Sequence, residues 1–394
     1  GSDLKQQLLF EGSEPIDLLD LTNFSEPVVF GEVDAGNYTK LRLMIDDLKL
    51  YPKDGGDAID VPLPANGKVD LLQSEGFDVL PGRTLMLEID MEANQAIKAH
   101  PAGKSGQYKF RPVVKVKVIY DDDDVQDKLV RVEGTVDEIF DTPAGGFRLC
   151  DIDTPDYCVD VGTGMDTSIF DSEGLGTDFS ILTVEDMVVV IGEYSTDPEI
   201  VLNALVLEIG GYAEQVKGNV VSDPADSQFL LLSQDGVDLL VELQPGTKYF
   251  DKYGASSAEA IVLGVDVEVE GVKPAKADPE DPDLMRAALI FLEAEDDLQL
   301  SGTIVADTIV AADPPGAYLG NFQLALPEDA GTVEVCVIED ADIVLVDEAE
   351  STVMMGLFED LAADQSVDLF GQYAAVDSCF EANEVIVEVV AETP

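Results

Sequence analysis

Val132-Glu133-Gly134-Thr135-Val136 recurs as Val216-Lys217-Gly218-Asn219-Val220 and again as Leu300-Ser301-Gly302-Thr303-Ile304. The interval is 84 residues both times, from Gly134 to Gly218 and from Gly218 to Gly302. A fixed period of that size means tandem copies of one folding unit. The strands after each phrase repeat as well. A second strand carries an aromatic: Phe147-Arg148-Leu149, Phe229-Leu230-Leu231, Phe322-Gln323-Leu324. A third comes at Cys158–Val161, Leu240–Leu243 and Val333–Cys336, and a fourth ends in Gly192, Gly271 and Gly371. A fifth closes each copy at Leu205–Ile209, Ala288–Leu292 and Val385–Val389. Five short strands in about 80 residues is the size of a small Greek-key barrel of OB type. The glycine after strand four is expected at a tight barrel corner.

Upstream of the repeats, period-two alternation again dominates, with β-branched residues filling it. Leu41–Ile45, Leu48–Tyr51, Leu85–Met91 and Tyr108–Val118 read as strands, and Asp54-Gly55-Gly56, Ala65-Asn66-Gly67 and Pro81-Gly82 as turns. A short helix is expected near Ala93–Lys98. The acidic run Asp121–Asp124 cannot enter a sheet core and marks a solvated junction. The expected fold is therefore all-β: one antiparallel β-sandwich over residues 1–120, then three tandem five-stranded OB-like barrels over 129–211, 212–295 and 296–394.

Charge is the second strong signal. The 394 residues hold 81 Asp and Glu against 22 Lys and Arg, a formal charge of −59. Thirteen of the basic and 19 of the acidic residues precede residue 121; the other 9 and 62 come after it. Such a polyanion repels phosphate backbones and anionic lipid faces, which argues against nucleic-acid binding. No run of 18 apolar residues occurs, so no transmembrane segment is expected. Gly1–Lys5 has no signal-peptide pattern; either an export signal has been removed or Gly1-Ser2 is a cloning remnant.

The four cysteines look paired. Cys150 and Cys158 bracket a hairpin tip, and Cys336 and Cys379 lie on strand-like runs of the third repeat. Disulfides Cys150–Cys158 and Cys336–Cys379 point to an oxidising, extracellular or cell-surface location. Without C-x-x-C, and with His100 as the lone histidine, zinc is a poor alternative.

Motifs for catalysis are missing: no G-x-S-x-G, H-E-x-x-H, Walker loop or G-x-G-x-x-G occurs. Carboxylate pairs are everywhere at this acidity and distinguish nothing, so no enzyme is expected. Calcium is the one cofactor candidate, since hard cations take several oxygens. The best ligand set is Asp151, Asp153 and Asp156, with Asp121–Asp124 plus Asp127 and Asp278–Asp283 behind it; none has EF-hand spacing. Asn23-Phe24-Ser25 and Asn37-Tyr38-Thr39 fit the N-glycosylation triplet, which arises readily by chance.

The densest positive stretch is Lys109, Arg111, Lys115 and Lys117, which share one face of a regular strand, with Phe110, Val114, Val116 and Val118 on the other. Such a face either protects an exposed sheet or meets an acidic barrel.

Residues 8–119 resemble part of a domain found in bacterial and archaeal surface lipoproteins, domain of unknown function 4382. Ile16–Leu19, Ala35–Leu43 and Gly106–Val116 carry the likeness. The three repeats are similar to domain of unknown function 5666, an OB-like module often found in tandem in exported proteins. Neither resemblance implies catalytic residues. The lipoprotein domain usually opens with a strand like G-x-L-x-V-x-L-T-D-x-P, which is not found here. A sandwich lacking that strand is expected to expose an unpaired edge that accepts a strand from another chain. Leu8, Leu9 and Phe10, with Lys109, Arg111, Lys115 and Lys117, are the expected assembly surface.

The expectation is a non-catalytic extracellular structural or adhesive protein, self-associating head-to-tail or by strand addition into a filament. The alternative is a lipid-anchored surface protein that binds polysaccharide or calcium through barrel loops.

Overall fold

In the computed structural model the regular elements of the described residues are strands, broken by short 3-10 turns. The described residues are 7–9, 16, 18, 21, 23–29, 32–52, 56–83, 85–91, 97–99, 108–110, 113–120, 128–141, 145–152, 158–195, 200–211, 213–222, 224–251, 254–276, 283–293, 298–312, 316–327, 331–347, 352–373 and 379–389. The chain forms two compact units. One holds residues 1–11, 19–33 and 120–295; the other holds 12–18, 34–119 and 296–394.

Each repeat closes into a five-stranded barrel. In the first, Leu129–Ile139 pairs antiparallel with Gly146–Cys150, which pairs with Cys158–Gly162. The third strand runs parallel to the fifth, Val201–Ile209, and the fifth pairs with the fourth, Met187–Ser195, which returns to the first. The same cyclic order joins Ala213–Val220, Gln228–Ser233, Asp238–Asp251, Leu284–Leu292 and Asp266–Val272. It recurs with Leu298–Ile304, Tyr318–Ala325, Thr332–Asp347, Phe380–Glu388 and Ser366–Tyr373.

The repeated residues explain the closure. Phe147, Phe229 and Phe322 from the second strands are fully buried in their barrels. Before each fourth strand a 3-10 turn delivers one apolar side chain to the core: Leu182, Ile261 or Leu361. Three residues on, Glu185, Gly264 and Asp364 all adopt positive φ, and their amides bond the first strand at Val136, Val220 and Ile304.

Both recurrent glycines sit where backbones crowd. A Cβ on Gly192, Gly271 or Gly371 would lie 2.1, 2.0 or 1.9 Å from a fifth-strand carbonyl oxygen. The ladder is bulged at each of these positions, so the expected barrel corner is present. A Cβ on Gly134, Gly218 or Gly302 would lie 2.5, 2.3 or 2.4 Å from a second-strand carbonyl oxygen.

In the first unit, the outer faces of two barrels meet. Val189, Ile191 and Val206 of the first barrel bury against Ala288 and Leu289 of the second, with Phe24 among them. Phe24–Ser25 pairs in parallel with Leu129–Val130 of the first barrel.

In the second unit, the sandwich strands Gly36–Met44 and Lys68–Val79 pair antiparallel, and Leu85–Met91 pairs with Val114–Tyr120. Ile97–Ala99 is a strand paired with Tyr108–Phe110 rather than the end of a helix. Over Asp70–Leu72, the second edge of Lys68–Val79 is taken in parallel by Thr352–Met354 of the third barrel. The sandwich core likewise includes residues of that barrel: Val344, Val346, Val353 and Ile386 pack with Val69, Leu71, Phe110 and Val114.

Candidate functional site

Among the described residues the strand Gly36–Met44 ends the nine-stranded sheet of the second unit. Its alternation puts Leu41 and Leu43 against the sandwich core and leaves Lys40, Arg42 and Met44 on the outer face. The neighbouring strand does the same, with Val69 and Leu71 inward and Lys68 and Asp70 outward. Arg42 lies directly opposite Asp70, and Met44 opposite Lys68.

This register gathers three cations around one carboxylate. Arg42 donates from Nε to Asp70 Oδ1 at 2.5 Å and from Nη2 to Oδ2 at 2.8 Å. Lys40 Nζ reaches Oδ2 at 3.1 Å, and Lys68 Nζ lies 3.6 Å from it. The Arg42 hydrogen bonds, ahead of the opposing effect of burial and the help of Lys40, hold the Asp70 carboxyl well below the usual range. Asp70 is buried, while the side chains of Lys40, Arg42 and Lys68 remain 44%, 33% and 41% exposed. The anion is consumed within the cluster, and the positive surplus faces solvent. The sequence held the signal: Lys40 and Arg42 flank Leu41 with the same alternation that singled out residues 109–117.

That longer basic stretch does not form one free face. Lys115 Nζ lies 3.0 Å from both Asp342 and Glu384 of the third barrel and is 18% exposed. Burial opposes its charge, but Glu384 and Asp342 outweigh burial and raise its pKa. Val114 and Val116 are buried as expected, but Val113 and Ile119, at the lysines' parity, are buried too, and the stretch forms two strands, Tyr108–Phe110 and Val114–Tyr120, rather than one. Lys117 is half-buried, and Lys109 stands opposite Lys98 in the sheet. Arg111 lies outside the described residues, as does Phe10. Leu8 and Leu9 are exposed.

A second cluster lies between the first two barrels. Glu268 and Glu270 point outward from the fourth strand of the second barrel, and Glu208 from the fifth strand of the first; all three are buried. Arg131 Nε and Nη2 each donate to Glu270 at 3.2 Å. Asn23 Nδ2 donates to Glu268 Oε2 at 2.5 Å, and Lys217 Nζ lies 3.7 Å from the same oxygen. Burial first, then the Glu270 charge, pushes Glu208 well above the carboxylate range despite Arg131. Burial pushes Glu268 up to about 7, against Lys217 and Asn23. Among the described residues neither carboxyl oxygen of Glu208 has a donor, which suits a protonated acid giving its hydrogen to Glu270. Asn23 is thus a buried structural residue rather than an accessible glycan acceptor.

Cys150–Cys158 and Cys336–Cys379 are both disulfides. Asp151 is exposed; Asp153 and Asp156 lie outside the described residues. Among the described residues no group of three acidic, His or Cys side chains could hold a metal. None of their helices is long and apolar enough to cross a membrane.

Residues 2–112 match the family described as Domain of unknown function (DUF4382). No curated protein matches the chain.

Proposed function

We propose that this is a non-catalytic structural component of an extracellular or cell-surface layer that associates with copies of itself. The observation that carries the reading is the filling of the barrels. Phe147, Phe229 and Phe322 occupy their centres, and Leu182, Ile261 and Leu361 join the same cores. The barrel interiors are thus packed cores that serve the fold, which leaves their outer faces for contact. Two disulfides support an oxidising, exported setting. The five-stranded order supports assigning the three barrels to domain of unknown function 5666.

Contact through charged faces is the mode of association proposed here in preference to strand addition. Over Asp70–Leu72 the sandwich strand Lys68–Val79 has a neighbour on both sides within one chain. Electron microscopy and sedimentation of the purified protein test the reading. Ordered or growing assemblies are expected as concentration rises; a protein that stays monomeric at every concentration and salt would overturn it.

A further inference from the structure

We propose that the face formed by Lys40, Arg42 and Lys68 docks against an acidic barrel of a second copy of this chain. The proposal rests on the self-associating reading above and names the surface responsible.

Three positive groups and one negative group share this patch, in a protein with a formal charge of −59. The barrels of another copy supply the complement, because residues 121–394 carry 62 acidic and 9 basic side chains. The cations are also positioned in advance. Asp70 is held by two hydrogen bonds from Arg42, so the guanidinium is fixed while the Lys40 and Lys68 ammonium groups keep free donor positions toward solvent. Met44, 65% exposed beside Lys68, gives the patch an apolar rim. Lysines on an edge strand discourage backbone pairing, so the patch suits contact by its face.

Global repulsion and local attraction act over different distances, which fixes the salt response. The screening length is about 30 Å at 0.01 M, about 8 Å at 0.15 M and about 3 Å at 1 M. At the lowest salt, repulsion between two −59 chains extends over the whole molecule and keeps them apart. Near 0.15 M that repulsion is confined to short range while contact pairs survive. At 1 M the pairs are screened as well. Association is therefore expected to pass through a maximum.

The test is sedimentation velocity of the full chain at those three salt concentrations. Lys40→Gln with Lys68→Gln removes two cations and leaves the Arg42–Asp70 pair intact; circular dichroism and melting check that it folds. Wild type is expected to be monomeric at the extremes and associated near 0.15 M, and the double variant to associate about tenfold more weakly there, a loss of about 1.4 kcal/mol. Lys40→Arg with Lys68→Arg is expected to keep association. A folded glutamine variant that associates like wild type overturns this inference and leaves the structural reading standing. A wild type monomeric at all three concentrations overturns both. A wild type that is monomeric alone, but binds a polyuronate through Lys40 and Lys68, overturns the choice of a second copy as occupant.

Discussion

Raising the pH through neutrality is expected to weaken the unit that holds the first two barrels, and Glu268→Gln is expected to remove part of that loss. Glu268 is buried, with Asn23 and Lys217 at its carboxyl, and burial pushes its pKa from the ordinary 4.5 to about 7. A carboxyl that holds its proton more tightly when folded contributes stability that is fully present below 4.5 and lost as the pH climbs through about 7. That interval corresponds to about 3 kcal/mol. Glu208 acts in the same direction, because burial raises its pKa as well. Glutamine keeps an acceptor for Asn23 and has no proton to lose. Urea unfolding of both proteins, monitored by far-UV circular dichroism from about pH 4.5 to about pH 8.5, reads the effect. Fixed salt of about 0.5 M limits the chain-wide repulsion common to both. Stability of the variant minus that of wild type should grow by about 3 kcal/mol across the range. A difference that stays constant, or that shrinks as pH rises, would refute the reasoning. It would mean that Lys217 and Asn23 favour the ionised carboxylate more than burial disfavours it.

Gly271→Ala is expected to cost at least about 1–3 kcal/mol, since the new Cβ would stand 2.0 Å from the Arg286 carbonyl oxygen; the urea midpoint reads it. Replacing Cys336 and Cys379 by Ala should cost about 4 kcal/mol, and Cys150 with Cys158 about 2.5 kcal/mol, because the sequence separations are 43 and 8 residues. Mass spectrometry without reductant should find no free thiol. Lys115→Met strips the buried Glu384 of its cation and is expected to cost about 3 kcal/mol, much of it recovered when Glu384→Leu is added.

The barrels were legible because their signals are local and said three times. The glycine phrase, the second-strand phenylalanine and the fourth-strand glycine each answer a steric demand that any copy must meet, so all fifteen barrel strands fall where the repeat puts them. The positive-φ turn at Glu185, Gly264 and Asp364 was harder to see. Only one copy has glycine there, although the spacing from Leu182, Ile261 and Leu361 is constant. What the outer faces do was not legible. Lys115 and Lys40 sit in equally regular strands, yet Lys115 meets Glu384 more than 250 positions away while Lys40 keeps its exposure. Alternation tells which side a residue takes and nothing about what covers that side. The buried acids were hidden for the same reason. Among 81 acidic residues, Glu208, Glu268 and Glu270 carry no mark of their own until two barrels close over them.

The sharing of the sandwich core with the third barrel sets an order of events during synthesis. Strand Lys68–Val79 emerges from the ribosome long before Thr352–Met355, the strand that borders it. Val344, Val346 and Ile386, which continue the Val69 and Leu71 face along the same sheet, come later than both intervening barrels. Those barrels are built from local pairings and can close as they appear. The early sandwich must wait, one sheet edge unpaired and its core incomplete, until nearly the last strand is made. During that interval the growing chain adds far more negative than positive charge, and each increment raises the repulsion between nascent neighbours. The acidity of the barrels is expected to oppose mispairing of that half-built sheet most strongly at low salt.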